Sequence, residues 1–305
     1  MKPVIIKNYL KNPFKYTTLA LNRRRLLCWL PDKLFLPIYY RAFTGKHLHL
    51  KAPVTFNEKL QWLKLYDRNP EYSRMVDKYE AKKYVAGIIG EEHIIPTLGV
   101  WDRFDDIDFD KLPDQFVLKC THDSGGLVIC RDKSTFDKSA AREKIVRCLG
   151  RNYYWGSREW PYKNVPPRII AEQYMEDGNE GDLKDYKIFC FHGVPKIIQL
   201  DYDRFRGHKR NMYSVDWERL PVDYIYFGSD SFEFQRPGAL EEMLCYAKEL
   251  SKEIPFVRVD FYYAEERVFF GEMTFFPESG FGRFSPGKWD GIIGSWISLP
   301  DTDNQ

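Results

Sequence analysis

The stretch VRVDFYYAEERVFFGEMTF, residues 257–275, leaves this chain few ways to fold. Two apolar runs flank a short charged turn, the pattern of a β-hairpin centred near Glu266. Pairing about that centre sets Asp260 opposite Glu272. Directly opposed side chains in an antiparallel pair have Cβ atoms roughly 4.5–5.5 Å apart, and like charges there repel. Carboxylates inside so apolar a strand pair need compensation. A magnesium ion supplies it, because it takes hard oxygen ligands, typically one or two carboxylates plus substrate phosphates. The other solutions are a neighbouring cation, Arg258 on the face of Asp260 or Lys288, or a bulge that separates the pair. We adopt the metal, with Asp260, Glu272 and Thr274 as its candidate ligands; Thr274 follows on the face of Glu272.

The rest of the chain sets further hairpins among helices. FVLKC (116–120) and LVICR (127–131) flank a Gly-Gly turn, and YKIFCF (186–191) and PKIIQLDYD (195–203) a short His-Gly turn. RIIAEQYM (168–175) reads as another strand. Helices are expected over 56–68, from near Asp77 to Gly90, over 137–150 and over 238–253. Residues 3–46 look helical and basic, interrupted by Pro31 and Pro37. Strands gathered in hairpins with helices between them predict α+β layers, not an alternating parallel sheet. The expected divisions are a basic, mainly helical segment (1–55), a helical lead-in (56–115), two α+β units (116–175 and 176–300) and a tail (301–305).

Charge is asymmetric. Residues 1–31 hold seven Lys/Arg and no acid, which leaves 39 basic and 44 acidic residues in the remainder. A basic arm on a mildly acidic body suits an anionic surface, though a solvated terminus has the same composition. No apolar run reaches the eighteen or so residues of a membrane span. The six cysteines show no CxxC spacing and no histidine at zinc-site distance, the usage of reduced thiols. The expected setting is cytoplasmic, with peripheral contact at the inner face of the membrane and no nucleic-acid partner.

Three other stretches carry chemistry. In FVLKCTHDSGGLVIC, Lys119 precedes a flexible turn of Ser124, Gly125 and Gly126. Glycines let backbone N–H groups approach phosphate oxygens, and a lysine adds a point charge. Such turns also arise for conformational reasons, and no Walker A loop exists here. In RIIAEQYMED, the strand end at Glu172, Gln173, Tyr174 and Met175 offers an apolar wall with polar groups beside it, suited to a purine or simply a strand terminus. In DYKIFCFHG, Asp185 and Lys187 share one strand face, so Lys187 either neutralises phosphate or pairs with Asp185.

The order of these parts resembles that of ATP-grasp enzymes, and within them the TupA-like ATP-grasp proteins of bacterial surface-polysaccharide biosynthesis. The phrases that carry the resemblance are TFNEKLQWLKLYDRNP, VDKYEAKKYV, FVLKCTHDSGG, DYKIFCFHG, VRVDFY and GEMTFFPESGFGRFSP, over roughly residues 50–290. The resemblance implies two α+β subdomains clasping ATP, with 116–175 as the lid and 176–300 carrying the metal. Lys119, Lys78 and Lys187 would contact phosphates, and the 121–127 loop would close over them. Glu172 and Tyr174, with Gln173 and Met175, would hold the adenine, and Glu180 or Asp182 the ribose. Asp260 and Glu272 would bind Mg²⁺. Thr274 stands where the family carries Asn, with Glu278 as its replacement. The implied reaction joins an amine or amino acid to a carboxylate through an acylphosphate, here on a uronic acid of a polysaccharide intermediate. Lys119, Lys187 and Arg283 are the catalytic candidates, Arg283 gripping the acceptor. His122, a lone loop histidine, is set aside. The alternatives are a glycosyltransferase using one of the DxD strings at 108–110, 201–203 or 301–303, and a non-catalytic assembly protein at the membrane.

Overall fold

The computed structural model describes residues 12–176, 183–202, 207–228 and 234–300. It opens with helices α1 (Pro13–Arg23) and α2 (Asp32–Thr44). Pro31 separates them and caps α2, its carbonyl accepting from Leu34 and Phe35 N–H at 2.9 Å. Pro37, expected to interrupt the helix, lies inside α2 instead. The bond it removes would have reached Lys33, which is exposed to water, while burial of Phe35, Leu36, Tyr39 and Tyr40 holds the helix on the core.

Helix α3 (Phe56–Tyr66) starts at a reciprocal cap, Thr55 with Glu58. The single helix expected from Asp77 is preceded by a short one, α4 (Glu71–Val76), and α5 spans Glu80–Ile89. Asp77 turns the chain between them, its Oδ1 accepting from Tyr79 N–H at 2.9 Å. Gly90 ends α5 at φ 105°, a conformation that suits glycine.

Strands β1 (Thr97–Trp101), β2 (Phe116–Cys120), β3 (Leu127–Cys130) and β4 (Ile169–Gln173) form an antiparallel sheet in the order β1-β4-β2-β3. Helix α6 (Lys138–Leu149) starts on the Asp137 cap and buries Ala141, Ile145 and Cys148 against this sheet's Phe116, Leu118 and Ile169. β1 comes from the 56–115 stretch, so the small sheet draws on two of the expected segments. A short helix, α7 (Tyr154–Ser157), follows α6.

The larger sheet contains β5 (Asp185–Phe191), β6 (Val194–Tyr202), β7 (Lys209–Ser214), β9 (Phe256–Ala264) and β10 (Arg267–Thr274), antiparallel in the order β10-β9-β5-β6-β7. Strand β7, KRNMYS, carries no apolar run and gives no strand signal in the sequence; Met212 and Tyr213 still bury there. Helix α8 (Leu240–Leu250) packs Leu240, Met243, Ala247 and Leu250 into the main core with Ile188, Ile198 and Val257. The pair β8 (Asp223–Tyr224) and β11 (Phe284–Ser285) and helix α9 (Lys288–Ser295) complete the fold. All six cysteines are free thiols.

The opening hairpin reaches the expected partners by an unexpected route. Its turn is Glu265–Glu266, both at positive φ, which centres the first pairs half a residue earlier than Glu266. A bulge at Gly271 then shifts the register by one, so Asp260 and Glu272 are partners after all. A side chain at 271 would start 3.0 Å from the Asp260 carbonyl oxygen, which is why glycine stands there.

Candidate active site

Neighbouring strands of the large sheet put Glu272, Asp260, Lys187 and Gln199 in one cross-strand row. Arg258, two residues before Asp260, clamps it: Nε donates to Oδ1 at 2.6 Å and Nη2 to Oδ2 at 2.6 Å. The same Nη2 lies 3.2 Å from Glu272 Oε1 and 3.1 Å from Thr274 Oγ1. Lys187 Nζ bridges Asp185 and Asp260 at 2.6 Å each. The repulsion read from the sequence is thus met by Arg258, the neighbouring cation that the sequence offered beside the metal, and the bulge does not separate the pair.

The charges still do not cancel, because Asp185, Asp260 and Glu272 outnumber Lys187 and Arg258. Burial pushes the Asp260 carboxyl up, Arg258 and Lys187 pull it down, and Asp185 and Glu272 push it up again, to about 6. Asp260 is therefore the carboxylate that another cation would stabilise most. Glu272 is different. Burial would raise it too, but Lys78 first, then Lys187, Arg258 and Lys119, hold it down at about 2. Its side chain is 42% exposed, so it is an ionised oxygen donor open to the cleft, where water screens part of that field. Among the described residues no cluster of three acidic, His or Cys side chains forms a closed metal cage. The oxygens of Asp260, Glu272 and Thr274 are of the hard kind that magnesium takes alongside phosphate and water. Asp260, however, is buried with both oxygens held by Arg258 and Lys187, so its coordination would require that clamp to open.

The small sheet presents the opposite charge. Lys119 on β2 ion-pairs with Glu172 on β4, and Lys82 of α5 reaches Glu172 Oε1 at 2.6 Å and the Ile95 carbonyl at 2.5 Å. Burial would raise the Glu172 carboxyl, yet Lys119 and Lys82 pull it down to about 2. Lys78 donates to the Asp123 carbonyl at 2.6 Å. Lysines 78, 82 and 119 outnumber the one carboxylate that two of them share, so this wall suits phosphate and the facing row suits a cation. In the 121–126 loop the Asp123 carboxylate accepts from Gly125 and Gly126 N–H at 3.2 and 2.8 Å, while Ser124 and Gly125 are exposed. Gly126 has no room for a side chain, because a Cβ would be driven into Cys120.

At the hinge, Met175 packs with Ile95, Ala264 and Phe269, with Leu183 and Tyr262 against them. This apolar wall is tied to Glu172 through Lys82, which bonds both the Ile95 carbonyl and that carboxylate. Gln173 is exposed, its N–H bonded to the Pro96 carbonyl at 3.0 Å, and Tyr174 is half-buried. Glu180 and Asp182 lie outside the described residues.

Two residues along the same face, the adjacent row runs Asp185, Asp201, Arg210. Arg210 holds Asp201 in two hydrogen bonds, 2.6 and 3.2 Å, and reaches Glu278 Oε1 at 3.3 Å. Glu278 and Ser279 adopt positive φ, 50° and 54°, an unfavourable backbone for side-chain-bearing residues. Helix α3 pins that loop: Lys64 Nζ donates to the Ser279 carbonyl at 2.8 Å, and Gln61 to the Gly280 carbonyl at 2.8 Å. Lys64 is wholly buried, and burial lowers it to about 8 against the pull of Glu159 and Asp32. Arg283 is exposed, and among the described residues its carbonyl alone is engaged, by Ile225 N–H at 3.0 Å. His122 is buried with Nε2 3.0 Å from the Arg151 carbonyl, a structural tie between loop and helix.

The structure therefore brings together Lys78, Lys119 and Glu172 on one wall and Lys187, Asp260, Glu272 and Thr274 on the other. Lys82 and Arg210 were missed in the sequence. The signal for Lys82 was the doubled lysine in EAKKYV; for Arg210, on an unrecognised strand, there was none.

The sequence matches a family model described as TupA-like ATPgrasp over residues 58–298. Among curated proteins none matches significantly. Three solved structures illustrate the fold-level likeness. D-alanine–D-alanine ligase from Bacillus anthracis complexed with ATP is 16% identical over 66% of this chain and 53% of its own, with a TM-score of 0.36. D-alanyl-alanine synthetase A from Vibrio cholerae is 12% identical over 72% and 63%, TM-score 0.43. The ATP-grasp ligase PsnB, complexed with a phosphomimetic variant of minimal precursor, Mg and ADP, is 9% identical over 89% and 71%, TM-score 0.42. The chain spans about half the length of the Bacillus ligase. Likeness at this level assigns no role to any residue.

Proposed function

The chain belongs to the TupA-like ATP-grasp family, an α+β fold of ATP-dependent ligases, and from that premise we propose that it joins a carboxylate to an amine at the cleft between its two sheets. The observation that supports this most is the pairing of opposite walls, a lysine-rich one facing an acidic row whose Glu272 is held ionised from both sides. ATP phosphates would lie against Lys78, Lys119 and Lys187, beneath the 121–127 loop, with the adenine on the Met175 wall beside Glu172, Gln173 and Tyr174. Glu180 or Asp182 would take the ribose. Asp260, Glu272 and Thr274 would hold magnesium, which supplies charge neutralisation for the transferring phosphoryl group.

The acceptor carboxylate oxygen attacks the γ-phosphorus, the bond to ADP breaks, and an acylphosphate results. The amine nitrogen then attacks the acyl carbon; phosphate leaves with the C–O bond pair, and the nitrogen gives up a proton. The protein's share is positioning and electrostatics. Lys187 and Arg258 offset part of the acidic row's charge before substrate arrives, and Lys187 would face the developing charge afterwards. Arg283, exposed beyond the metal strand, is the proposed grip on the acceptor, with Arg210 and Glu278 bounding the same loop. The substrates fitting the family's setting are an amino acid or amine and a uronic acid of a bacterial surface-polysaccharide intermediate, used at the inner face of the membrane. Among the described residues no helix is long and apolar enough to cross a membrane.

A DxD glycosyltransferase fits less well. Asp108 is engaged by Lys111 at 3.1 Å, Asp201 is clamped by Arg210, and 301–303 lies outside the described residues. The test is ADP release from Mg-ATP screened over uronic acids paired with amino acids. Release that requires both co-substrates, and is abolished in Lys187→Met, is expected. Turnover of a nucleotide sugar without ATP consumption would overturn the proposal.

A further inference from the structure

Helix α2 has two apolar faces where a surface helix needs one. The inner face of α2 buries Phe35, Leu36 and Tyr39, against Phe281 among others. On the outside, Leu34, Ile38 and Arg41 follow at spacings of four and three, so they share a stripe. Leu34 is 57% exposed, and Trp29, in the loop ahead of α2, is 77% exposed. Helices α1 and α2 are laced by cation–aromatic contacts: Arg41 lies over the Phe14 ring at 5.9 Å and Lys15 over Phe43 at 5.3 Å. Both rings are themselves part-exposed. Residues 12–46 contain seven Lys/Arg (15, 23, 24, 25, 33, 41 and 46) and a single acid, Asp32. Asp32 is occupied inward, bonded to Arg68 at 3.1 Å and to the Tyr154 hydroxyl at 2.5 Å.

We propose that the outward face of α1, α2 and the loop between them, with Trp29, Leu34 and Ile38 as its apolar elements, is a docking surface for an anionic lipid bilayer. The occupant follows from charge and chemistry together. A protein partner for this face would have to be both apolar and strongly acidic, whereas an anionic bilayer offers both properties in one plane. Trp and aliphatic side chains bury at the headgroup boundary, and the surrounding Lys/Arg meet anionic headgroups at about 1 kcal/mol each. This surface lies outside the nucleotide cleft, so its test is independent of the ligase proposal.

The experiment is co-sedimentation of the full chain with vesicles of phosphatidylcholine, with and without about 30% phosphatidylglycerol. Binding to the anionic vesicles is expected, weaker by roughly tenfold or more on the neutral ones and reduced by salt. Trp29→Ser/Leu34→Ser should lower it by about tenfold or more with the melting temperature unchanged, since both side chains are exposed. Arg24→Gln/Arg25→Gln should lower binding to anionic vesicles only. No binding to anionic vesicles, or binding indifferent to the Trp29/Leu34 substitutions, overturns the proposal. So does a dimer in sedimentation equilibrium that those substitutions dissolve, which would assign the face to a second copy of the chain.

Discussion

Arg258 and Asp260 stand two residues apart on β9 and form two parallel hydrogen bonds, each 2.6 Å long, under the floor of the cleft. The arginine is thereby the internal counter-ion of a site that still carries an excess carboxylate. Removing one carboxylate should differ sharply from removing two. Asp260→Asn leaves Arg258 with Glu272 and Lys187 with Asp185, so its unfolding free energy in urea should stay within about 1 kcal/mol of wild type. Asp260→Asn/Glu272→Gln leaves both cations to Asp185 alone and should lose about 3 kcal/mol. The sign with pH is also set. Asp260 is raised in the fold, so its ionisation costs stability as pH climbs from about 4 to about 6, and Asp260→Asn should lack that loss. Mg-ATP should raise the melting temperature of the wild type and of neither variant.

That site shows how much was legible. Alternation of Val, Phe and Tyr with charged residues placed Asp260 against Glu272, because period-two patterning fixes which side chains share a face. Gly271 was not read as a bulge, and two compensating half-residue differences yielded the same partners. Arg258 was visible but had to be chosen against a metal, since sequence gives spacing and not side-chain direction. Strand β7 was illegible: its burial comes from pairing with β6, not from an apolar run. Arg210 was lost with it. The α+β layering and the Gly90 stop came through because hairpin turns and helix caps are local events. Pro37 misled because tertiary burial outweighed one lost helical bond.

Glu172 provides a second pH signature. Its carboxyl is held at about 2 by Lys119 and Lys82, well below the ordinary value near 4.5. A lowered carboxylate stabilises the fold above its unfolded pKa and loses that contribution as pH falls toward its folded one. The difference in unfolding free energy between wild type and Glu172→Gln should therefore be greatest above about pH 5 and shrink by about 3 kcal/mol as pH approaches 2. The side chain is 5% exposed, so salt should change the difference little.

Two adjacent glycines should behave differently. A Cβ at Gly126 collides with Cys120, while one at Gly125 meets nothing nearer than 3.8 Å. Gly126→Ala should cost about 1–3 kcal/mol by overpacking, and Gly125→Ala should fold as wild type. If the loop closes on phosphate through its exposed tip, Gly125→Ala should instead raise the Kd for Mg-ATP. Equal stability losses in the two variants would place the constraint on the loop backbone and not on the Cys120 contact.

Lys78 links the two walls. Its Nζ is tied to the Asp123 carbonyl at 2.6 Å, and it is the largest cationic influence on Glu272 across the cleft. Lys78→Ala removes a charge-assisted donor from the proposed phosphate wall, a loss of about 1.5–3 kcal/mol and so roughly ten- to hundredfold in the Kd for Mg-ATP. It also releases the Glu272 carboxyl upward. The acid limb of ATP-dependent ADP release should then move to higher pH, because protonating Glu272 removes a candidate magnesium ligand. Lys78→Arg keeps the charge and should restore the acid limb even where binding stays weak, since a guanidinium does not reproduce the ammonium's contact with Asp123. A weaker Kd with an unshifted acid limb in Lys78→Ala would mean that Lys78 meets only the nucleotide and does not set the charge state of Glu272.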